Sequence, residues 1–413
     1  MSYLFLFRAY PDIDHLGPLV WKLLEEGEEV HAVITPGYDP TSDHHLGFLS
    51  RYERFHIHEA EGWWRGTFGW ALTLLASRRV RVVGVEWGHG PRAAPRFSPR
   101  GLVAIVRRLV ASMLKAGRRD PNQMRTNFVL AAWLLGRPLV CLPHGLSIKL
   151  ENLIVFGEQA ERFEREGQID WSDRNRFAAY VLNTEHHRRW HLDHAGGDPA
   201  VMETWGSLRW APEWFELNRR MSPPFEWPAW EADRVKVVFM VPKWRNRASP
   251  EAACELLRRM QELDFVSLAV KSHPRKEGAA DPLHADPGID WERIHDVSAV
   301  DSVPLIAASD VVIDVGSSIG IECVMQGKVL VNPSHLHGMR TLFDSIEGSC
   351  VQADTADEVV DYLRAHAAGD SHEVPEEAHA ELLRRAVYGD RDEPFDVIAL
   401  YAGRIRALAR AVA

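Results

Sequence analysis

Strands that alternate with helices in two successive series constrain the fold of this chain more than any other feature of its sequence. The first series has the strand-like stretches YLFLFRA, EVHAVITPG and RVRVVGVEWG. The second series begins near residue 233 and has the strand-like stretches VKVVFMVPKW, DFVSLAVKSHP and VVIDV. Alternation of strands and helices predicts a parallel sheet with helices on its faces. The sequence therefore predicts an α/β protein with two Rossmann-like domains in tandem.

The length of the chain and a proline-rich segment predict where the two domains divide. At 413 residues the chain is too long for one ordinary hydrophobic core. The segment MSPPFEWPAW, residues 221–230, has the prolines typical of an extended linker. We therefore predict an N-terminal domain at 1–220, a linker at 221–232 and a second domain at 233–365. The helix-like stretches of 366–413 are expected to pack back across the domain interface.

Composition and charge argue against several classes of protein. The formal net charge of −10 disfavours a general nucleic-acid binder, so no nucleic-acid partner is predicted. The sequence has no apolar run of about 18 residues that would predict a spanning helix. The opening MSYLFLF lacks a basic leader and is interpreted as a strand. Four cysteines without metal-type spacing are typical of free thiols in a reducing compartment, and a cytoplasmic location is expected.

The stretch VVIDVGSSIGIECVMQG, residues 311–327, has the pattern of a phosphate-binding turn. A strand leads through a glycine to Ser317 and Ser318, where a helix begins. Helix N-termini attract anions because they carry unpaired N–H groups and the positive end of the helix dipole. The two serines are therefore candidate phosphate contacts, and Glu322 is a candidate contact for a ribose. The alternative for the serines is an N-cap, and the alternative for Glu322 is a side chain that complements the helix dipole. Asp314, inside the strand, either orients the turn or caps the helix.

Two basic segments stand at other strand ends of the second series. KSHPRK places His273 and Arg275 after one strand, and PKWRNR places Lys243 after another. Ligands of open α/β sheets bind outside the carboxyl ends of the strands. We therefore expect these side chains to share a crevice with the serine turn and to bind the phosphates of a donor. The alternatives are a His-Pro pair that ends its strand and basic side chains that are merely solvated.

Strand ends of the first series supply candidates for catalysis. LPHGLSIK places His144 after an apolar run and beside Gly145, which permits close approach of the backbone. An imidazole can take the proton of an acceptor hydroxyl, as inverting group transfer requires, so His144 is the first candidate base. VGVEWGHGPR adds Glu86, the second candidate base or the nucleophile of a retaining reaction, and His89, a candidate acceptor contact. The alternative for His144 is a histidine that satisfies its own loop.

The first loop, FRAYPDIDHLG, adds Arg8, Asp12 and Asp14 as candidate contacts for acceptor hydroxyls. Aspartate before a helix is also a common cap, which is the alternative. Asp12-Ile-Asp14 matches the Asp-x-Asp pattern of metal-bound nucleotides, but no such pair stands at a strand end, so metal independence is predicted. No G-x-G-x-x-G follows the first strand of either domain, which argues against a dehydrogenase, and no cofactor is predicted.

Two further segments have both a structural and a functional interpretation. His187, His191 and His194 fall at helical spacing, and three exposed histidines are favoured over zinc ligands. Residues 96–119, RFSPRGLVAIVRRLVASMLKAGRR, combine an apolar face with basic ends. Such a helix can lie on an anionic membrane surface, which would suit an enzyme that extends a lipid-linked glycan. The alternative is a domain helix with one buried face.

The motifs KSHP and DVGSSIGIE, in this order, resemble the donor-binding half of CDP-glycerol glycerophosphotransferases and of capsule-type glycosyltransferases that use cytidine-activated donors. VMQGKVLVNPSHLHGMRTLFD, LPHGLS and GSLRWAPEW extend the resemblance over most of the chain. The resemblance implies a GT-B fold, in which two Rossmann-like domains face a central cleft and C-terminal helices follow. It also implies that His273, Ser317 and Ser318 contact the phosphates of the donor nucleotide.

The function predicted from these features is a glycosyltransferase of bacterial surface polysaccharide biosynthesis. It would transfer a sugar or polyol phosphate from a phosphate-activated donor, with a cytidine nucleotide favoured, to a glycan or lipid-linked acceptor. Three alternatives stay open: transfer from a UDP or pyrophosphate-only donor, an enzyme like the UDP-sugar 2-epimerases, and a non-catalytic scaffold.

Overall fold

Two compact units make up the chain in the computed structural model. The structure describes residues 1–8, 10–35, 38, 43–59, 80–86, 128–129, 131–133, 135–143, 145–150, 163–244, 248–272 and 282–411. Unit 1 comprises Met1–Leu146, Val155–Phe215 and Arg385–Ala413, and unit 2 comprises Ser147–Ile154 and Glu216–Arg384. Each unit is built on one parallel sheet with helices, so the predicted α/β class is confirmed. Among the residues described, no helix is long and apolar enough to span a bilayer.

The sheet of unit 1 has seven parallel strands in the order β3-β2-β1-β4-β5-β6-β7. Its first strand, SYLFLF, is buried along its whole length, as expected for a strand covered on both faces. The strands are β1 (Ser2–Phe7), β2 (Glu29–Ile34), β3 (Phe55–Glu59), β4 (Val80–Glu86), β5 (Leu139–Leu142), β6 (Ala179–Leu182) and β7 (Met202–Thr204).

The helices described in unit 1 pack around this sheet. They are α1 (Tyr10–Glu25), α2 (His44–Leu49), α3 (Glu185–His194), α4 (Pro212–Met221, which runs on into unit 2) and α11 (Val397–Arg410). A glycine in α1, Gly17, allows a close approach, since a Cβ there would lie 3.0 Å from the ring of Trp214. The last helix, α11, packs on α1, and its Tyr401 hydroxyl donates to the Gly206 carbonyl at 2.8 Å. The C-terminal helix therefore completes the core of unit 1.

The sheet of unit 2 has six parallel strands in the order β10-β9-β8-β11-β12-β13. The strands are β8 (Val235–Met240), β9 (Val266–Lys271), β10 (Ile294–Asp296), β11 (Val311–Asp314), β12 (Val329–Pro333) and β13 (Val351–Ala353). The helices described are α5 (Pro250–Gln261), α6 (Pro282–Ala285), α7 (Ser302–Ala307), α8 (Ile319–Met325), α9 (Ala356–Ala367) and α10 (Glu376–Ala386). The Ser-Pro start predicted for α5 is present, because Ser249 accepts a hydrogen bond from the Ala252 N–H.

Both sheets reverse their strand order beside their first strand. In unit 1 the order runs outward from β1 to β3 on one side and from β4 to β7 on the other. In unit 2 the same reversal occurs between β8 and β11. Loops leave the carboxyl ends of the two central strands in opposite directions at such a point and open a crevice, where ligands of α/β sheets bind. The fold thus singles out the loops after β1, β4, β8 and β11.

The two units do not correspond to single stretches of sequence. Relative to the predicted limits of 1–220 and 233–365, residues 147–150 group with unit 2, and the chain from residue 385 onward groups with unit 1. The early segment is held by backbone pairing: Leu342 N–H donates to Ile148 O at 2.6 Å, and Leu150 N–H donates to Arg340 O at 3.1 Å. Lys149 and Thr341 form an antiparallel bridge between these bonds. A piece of the first half of the sequence therefore lies on the loop after β12.

Candidate functional site

Several residues predicted from the sequence lie outside the described part of the chain. They are His89, His144, His273 and Arg275, together with the basic segment 96–119 and residues 245–247 of the loop after Lys243. Glu86 is the last residue of β4, so its backbone stands at the predicted strand end. The roles of these residues stay predictions. The geometry below concerns the remaining candidates and their neighbours.

The turn after β11 is bent by Gly316 and faces the loop after β12. Gly316 has φ +64°, a left-handed conformation that costs little for glycine and strains other residues. A Cβ at this position would lie 3.4 Å from Thr341 Cγ2 and 3.6 Å from His337 Nε2. The glycine therefore brings the backbone of the turn against these two side chains.

Asp314 fixes the conformation of the turn through two hydrogen bonds from Ser317. Its carboxylate accepts hydrogen bonds from the Ser317 N–H at 2.9 Å and from the Ser317 hydroxyl at 2.7 Å. The Ser317 hydroxyl in turn accepts from the Ile319 N–H at 3.2 Å. Burial raises the pKa of Asp314 to about 7, although the bonds from Ser317 oppose the shift. The interpretation of Asp314 as the residue that orients the turn fits this geometry.

This arrangement gives the two serines different positions. The Ser317 hydroxyl is engaged with Asp314 and with the helix, so in this conformation its proton points into the turn. Ser318 is the N-cap residue of α8, is partly exposed, and makes no cap bond through its side chain. The Ser317 hydroxyl is therefore committed to the turn, whereas that of Ser318 is not used in capping the helix.

Glu322 lies in a buried polar cluster one turn into α8. Its side chain is 1% exposed, and its Oε2 accepts a hydrogen bond from the Ser302 hydroxyl at 3.1 Å. Lys271, at the end of β9, donates to the carbonyls of Ser298 and Val300. Burial lowers the pKa of Lys271, and the nearby carboxylates of Asp301 and Glu322 oppose that shift. Glu322 is thus a buried side chain that interacts electrostatically with Lys271 at the end of β9.

The loop after β12 contributes residues that the sequence analysis did not single out. His337 is buried; its Nδ1 accepts from the Met339 N–H at 3.0 Å, so its Nε2 donates to Asn332 Oδ1 at 3.1 Å. Burial lowers the pKa of His337, and the positive charge of Lys149 acts in the same direction. The polar run SHLHGMRT directly after the strand-like VLVNP was the sequence signal for this loop.

Lys243 stands after β8, on the other side of the strand-order reversal from the serine turn. Its side chain is partly buried. Because β8 and β11 are neighbours in the sheet, the loop that carries Lys243 and the turn at 316–318 leave adjacent strand ends. The structure therefore brings two of the predicted phosphate-binding segments to the same end of the same pair of strands.

Asp12 and Asp14 lie inside α1 and not in the loop predicted before it, because the helix begins at Tyr10, and each aspartate pairs with an arginine. The backbone N–H of Arg8 donates to Asp12 Oδ2 at 2.7 Å, and its guanidinium Nε lies 3.6 Å from the same oxygen. Asp14 Oδ2 lies 3.0 Å from NH1 of Arg209. Both aspartates are buried. Asp12 and Asp14 are therefore members of two separate ion pairs rather than one open pair of carboxylates.

The loop after β5 lies against the first half of α1. Gly145 has φ +76°, and a Cβ there would lie 3.6 Å from His15 Nε2. The Gly145 carbonyl also accepts a hydrogen bond from Asn183 Nδ2 at 2.8 Å. Because Gly145 follows His144 directly, these contacts fix the position of the chain next to the predicted base.

Two of the three histidines weighed as zinc ligands, His191 and His194, make hydrogen bonds inside unit 1. His191 is fully buried; its Nδ1 donates to the His187 carbonyl at 2.9 Å, and its Nε2 accepts from Arg174 NH1 at 2.7 Å. Burial, reinforced by the Arg174 charge, lowers the pKa of His191 to about 3. His194 Nδ1 contacts the carbonyl of Gly167. The prediction of exposed histidines is therefore wrong for His187 and His191, which are buried, and holds only in part for His194, which is partly exposed.

Comparison with known proteins identifies the fold. No protein-family model matches the sequence, and no curated protein matches it. Among solved structures, a Listeria monocytogenes protein assigned as a UDP-N-acetylglucosamine 2-epimerase superposes with TM-score 0.57 at 16% identity, covering 98% of this chain and 95% of that one. The UDP-N-acetylglucosamine 2-epimerase of Neisseria meningitidis, bound to UDP-N-acetylglucosamine, gives 0.56 at 12% identity, with 99% and 100% covered.

A third structure, Staphylococcus aureus MnaA with UDP, gives TM-score 0.55 at 12% identity over 96% of this chain and 99% of that one. At these identities the likeness concerns the fold. It extends over both units of this chain and over nearly the full length of each matched protein. The chain therefore has the GT-B fold that the sequence resemblance implied.

Proposed function

We propose that the chain is an enzyme that binds a phosphate-activated sugar donor in unit 2 and transfers its sugar to a glycan acceptor. The observation that carries this proposal is the placement of the candidate residues at the strand-order reversals. Lys243 and the turn at 316–318 follow the two central strands of unit 2. Arg8 and Glu86 stand at the ends of the two central strands of unit 1. Ligands of open α/β sheets bind at these points.

In this proposal the donor phosphates contact unit 2. The Ser318 hydroxyl donates to phosphate, while Ser317 and Asp314 hold the turn in the required shape. Lys243 supplies positive charge from the adjacent strand end. His273 and Arg275, predicted from the sequence, add an imidazole and a guanidinium after β9. Glu322, buried beside Lys271, stays a candidate for the ribose.

The transfer step requires a base on the acceptor side. The acceptor oxygen attacks the anomeric carbon, the bond from that carbon to the donor phosphate breaks, and the nucleotide or pyrophosphate leaves with the bonding electrons. His144 takes the acceptor proton, with Glu86 as the second candidate. Arg8 and His89 are the candidates for contacts with acceptor hydroxyls. Asp12 and Asp14, predicted for the same role, are buried and would act by holding Arg8 and Arg209 in place. A carboxylate nucleophile at Glu86 would instead give retention.

The proposed biological setting follows from the sequence resemblance. Capsule-type glycosyltransferases build bacterial surface polysaccharides from activated sugars, often on lipid-linked acceptors. A basic amphipathic segment at 96–119 would suit peripheral contact with the inner face of the membrane. We propose a cytoplasmic enzyme of this pathway class, without a metal or other cofactor in its catalytic step.

A 2-epimerase-like activity is the second candidate, and a specific observation favours it. Three matched structures that cover 96–99% of this chain are assigned as UDP-N-acetylglucosamine 2-epimerases or hold UDP. The nucleotide therefore stays open between cytidine, which the sequence resemblance favours, and uridine, which two of these structures hold. A pyrophosphate-only donor and a non-catalytic scaffold are the remaining alternatives.

Ligand binding tests the donor site directly. Thermal stabilisation is measured with CMP, CDP, UMP, UDP, GDP and pyrophosphate, for the wild type and for Ser318→Ala. We expect one nucleotide to stabilise the wild type and Ser318→Ala to lose most of that shift. Ser371→Ala, at an exposed serine of unit 2, is the matched control and should keep it. Equal shifts in both variants, or no shift with any nucleotide, would contradict the proposed donor site.

Turnover then separates the candidate activities. The nucleotide sugar of the preferred base is incubated alone and with a glycan acceptor, and the products are resolved by mass and by NMR. Transfer that depends on the acceptor and is lost in His144→Ala supports the glycosyltransferase. An epimeric product without acceptor supports the second candidate. Nucleotide binding without either reaction supports the scaffold.

A further inference from the structure

Three histidines of unit 1, carried by the neighbouring strands β2 and β3, lie side by side on one face of the sheet. His56 and His58 are two residues apart on β3, so their side chains point to the same face. His31 on the neighbouring strand β2 is the direct register partner of His56. The ring of His31 lies 5.0 Å from that of His56 and 5.2 Å from that of His58, measured between ring centroids.

Atoms that can bind a metal ion approach one another closely in this cluster. His31 Nδ1 and His58 Nε2 share a hydrogen bond of 2.9 Å, which a bound ion would replace. Glu29 Oε1 lies 3.3 Å from His56 Nε2 and 3.7 Å from His31 Nε2. Ligand atoms bound to one tetrahedral zinc ion at about 2.0–2.1 Å stand roughly 3.3 Å apart. His31 faces His58 through Nδ1 and Glu29 through Nε2, so its ring has to turn before one of its nitrogens, those of His56 and His58 and the carboxylate can meet at one ion.

The cluster is accessible, and its rings are suited to metal binding. The strand β3 is at the edge of the sheet, and the side chains of His56 and Glu29 are 41% and 31% exposed. A neutral imidazole is the form that binds metal ions. Imidazole favours zinc, nickel and copper, whereas magnesium and calcium prefer oxygen ligands.

A second group of potential ligands in unit 1 is explained by its role in the fold. Among the residues described, Asp43, His44 and His45 bring three ligand atoms within 4.8 Å of one another. Asp43, however, is the N-cap of α2: its Oδ1 accepts from the N–H groups of His45 and Leu46, and its Oδ2 accepts from the Tyr38 hydroxyl. His45 is fully buried and stacks on Trp214. Capping and packing account for this group.

We propose that His31, His56 and His58, with Glu29, form a binding site for a divalent transition-metal ion such as zinc. The ion would link β3 to β2 and so fasten the edge strand of the sheet. The proposed sugar chemistry takes place at the carboxyl ends of the strands. His31 and His56 lie before those ends, within β2 and β3. The ion therefore stabilises unit 1 and takes no part in transfer.

Calorimetry with zinc chloride on the full-length protein, free of any histidine tag, tests the site. We expect one ion per chain, a rise in the melting temperature with zinc, and no binding of magnesium at the same concentration. Substituting an outer partner of a metal ligand typically weakens binding about 10- to 100-fold. The double variant His56→Asn/His58→Asn, which removes two ligands, should therefore bind zinc at least about tenfold more weakly.

Two controls keep the test decisive. His186→Ala/His194→Ala removes two histidines of α3 that lie apart from the cluster and should leave zinc binding unchanged. The single variant His56→Asn changes the most exposed of the three rings and replaces the double variant if that protein does not fold. The visible absorption of bound cobalt(II) reports imidazole coordination independently. Absence of zinc binding, or equal zinc binding in wild type and cluster variants, would overturn the proposal.

Discussion

At the scale of single residues, the glycine of the serine turn has a measurable energetic role. Gly316 has φ +64°, and its neighbours would sit at ordinary contact distance from an added Cβ. Gly316→Ala should therefore cost about 1–2 kcal/mol through backbone strain alone. Urea unfolding gives the value. Gly47, inside α2 and with open space around it, is the matched control, and Gly47→Ala should stabilise by up to about 1 kcal/mol. Similar losses at both positions would contradict this account.

Asp314 makes stability depend on pH in a predictable direction. Burial raises its pKa to about 7 in the folded protein, from 3.8. Between these values the folded state holds the proton and the unfolded state does not, so the free energy of unfolding should fall as pH rises from about 4 to about 7. The shift corresponds to a loss on the order of 4 kcal/mol.

The variant Asp314→Asn isolates this contribution. Its amide cannot ionise, so its free energy of unfolding should vary less than that of the wild type over the same pH range. Urea titrations of both proteins at several pH values measure the difference. Parallel pH profiles for the two proteins would mean that Asp314 titrates near its ordinary pKa.

At the scale of elements, the central strands β1 and β4 of unit 1 pack closely because residue 84 is a glycine without a side chain. A Cβ at Gly84 on β4 would lie 2.6 Å from Cδ1 of Phe5 on β1. Gly84→Ala should destabilise the protein by about 1–3 kcal/mol because the buried ring has to move. Phe5→Leu in the same chain should recover part of that loss. A double-mutant cycle of unfolding free energies measures the coupling, and additive effects would exclude the predicted contact.

The elements themselves were largely predictable from the sequence, whereas the contacts between distant segments were not. Buried apolar runs such as SYLFLF and a Ser-Pro helix start are local signals, and the structure has a strand and a capped helix there. Residues 147–150 pair with the loop after β12 through a single β-bridge. So short a pairing needs no strand-like run of residues, and the sequence therefore gives no local signal for it. The division of roles between Ser317 and Ser318 likewise depends on which hydroxyl Asp314 engages.

The candidate site shows the same limit. Polar residues at strand ends were recognisable, since parallel strands present their carboxyl ends together. The order of the strands in the sheet was not recognisable. It depends on pairing between segments that are distant in sequence, and such pairing leaves no local pattern. The histidine cluster combines residues of two strands that are far apart in sequence, so only the pair His56 and His58 was visible as an alternation.

At the scale of the whole molecule, unit 1 depends on the C-terminal end of the chain. The Ser207 N–H donates to Val387 O at 2.8 Å, and Tyr401 bonds to the Gly206 carbonyl. A chain ending at Arg384 should lose protection of its amides in α1 and β7, while those of unit 2 change little. Hydrogen exchange followed by mass spectrometry compares the two sets within one sample. Equal loss of protection in both units would contradict the assignment.

The interleaving of the two units limits how such a protein can exchange parts during evolution. If each domain were one stretch of sequence, recombination at the linker could exchange the whole donor-binding domain. The donor specificity would change with it. Here residues 147–150 belong to unit 2, and the last helix, encoded after unit 2, belongs to unit 1. A crossover in the proline-rich segment would therefore join mismatched pieces. A chimera with a relative should fold only when the final helix is inherited together with the N-terminal half, and the early segment together with the donor-binding unit.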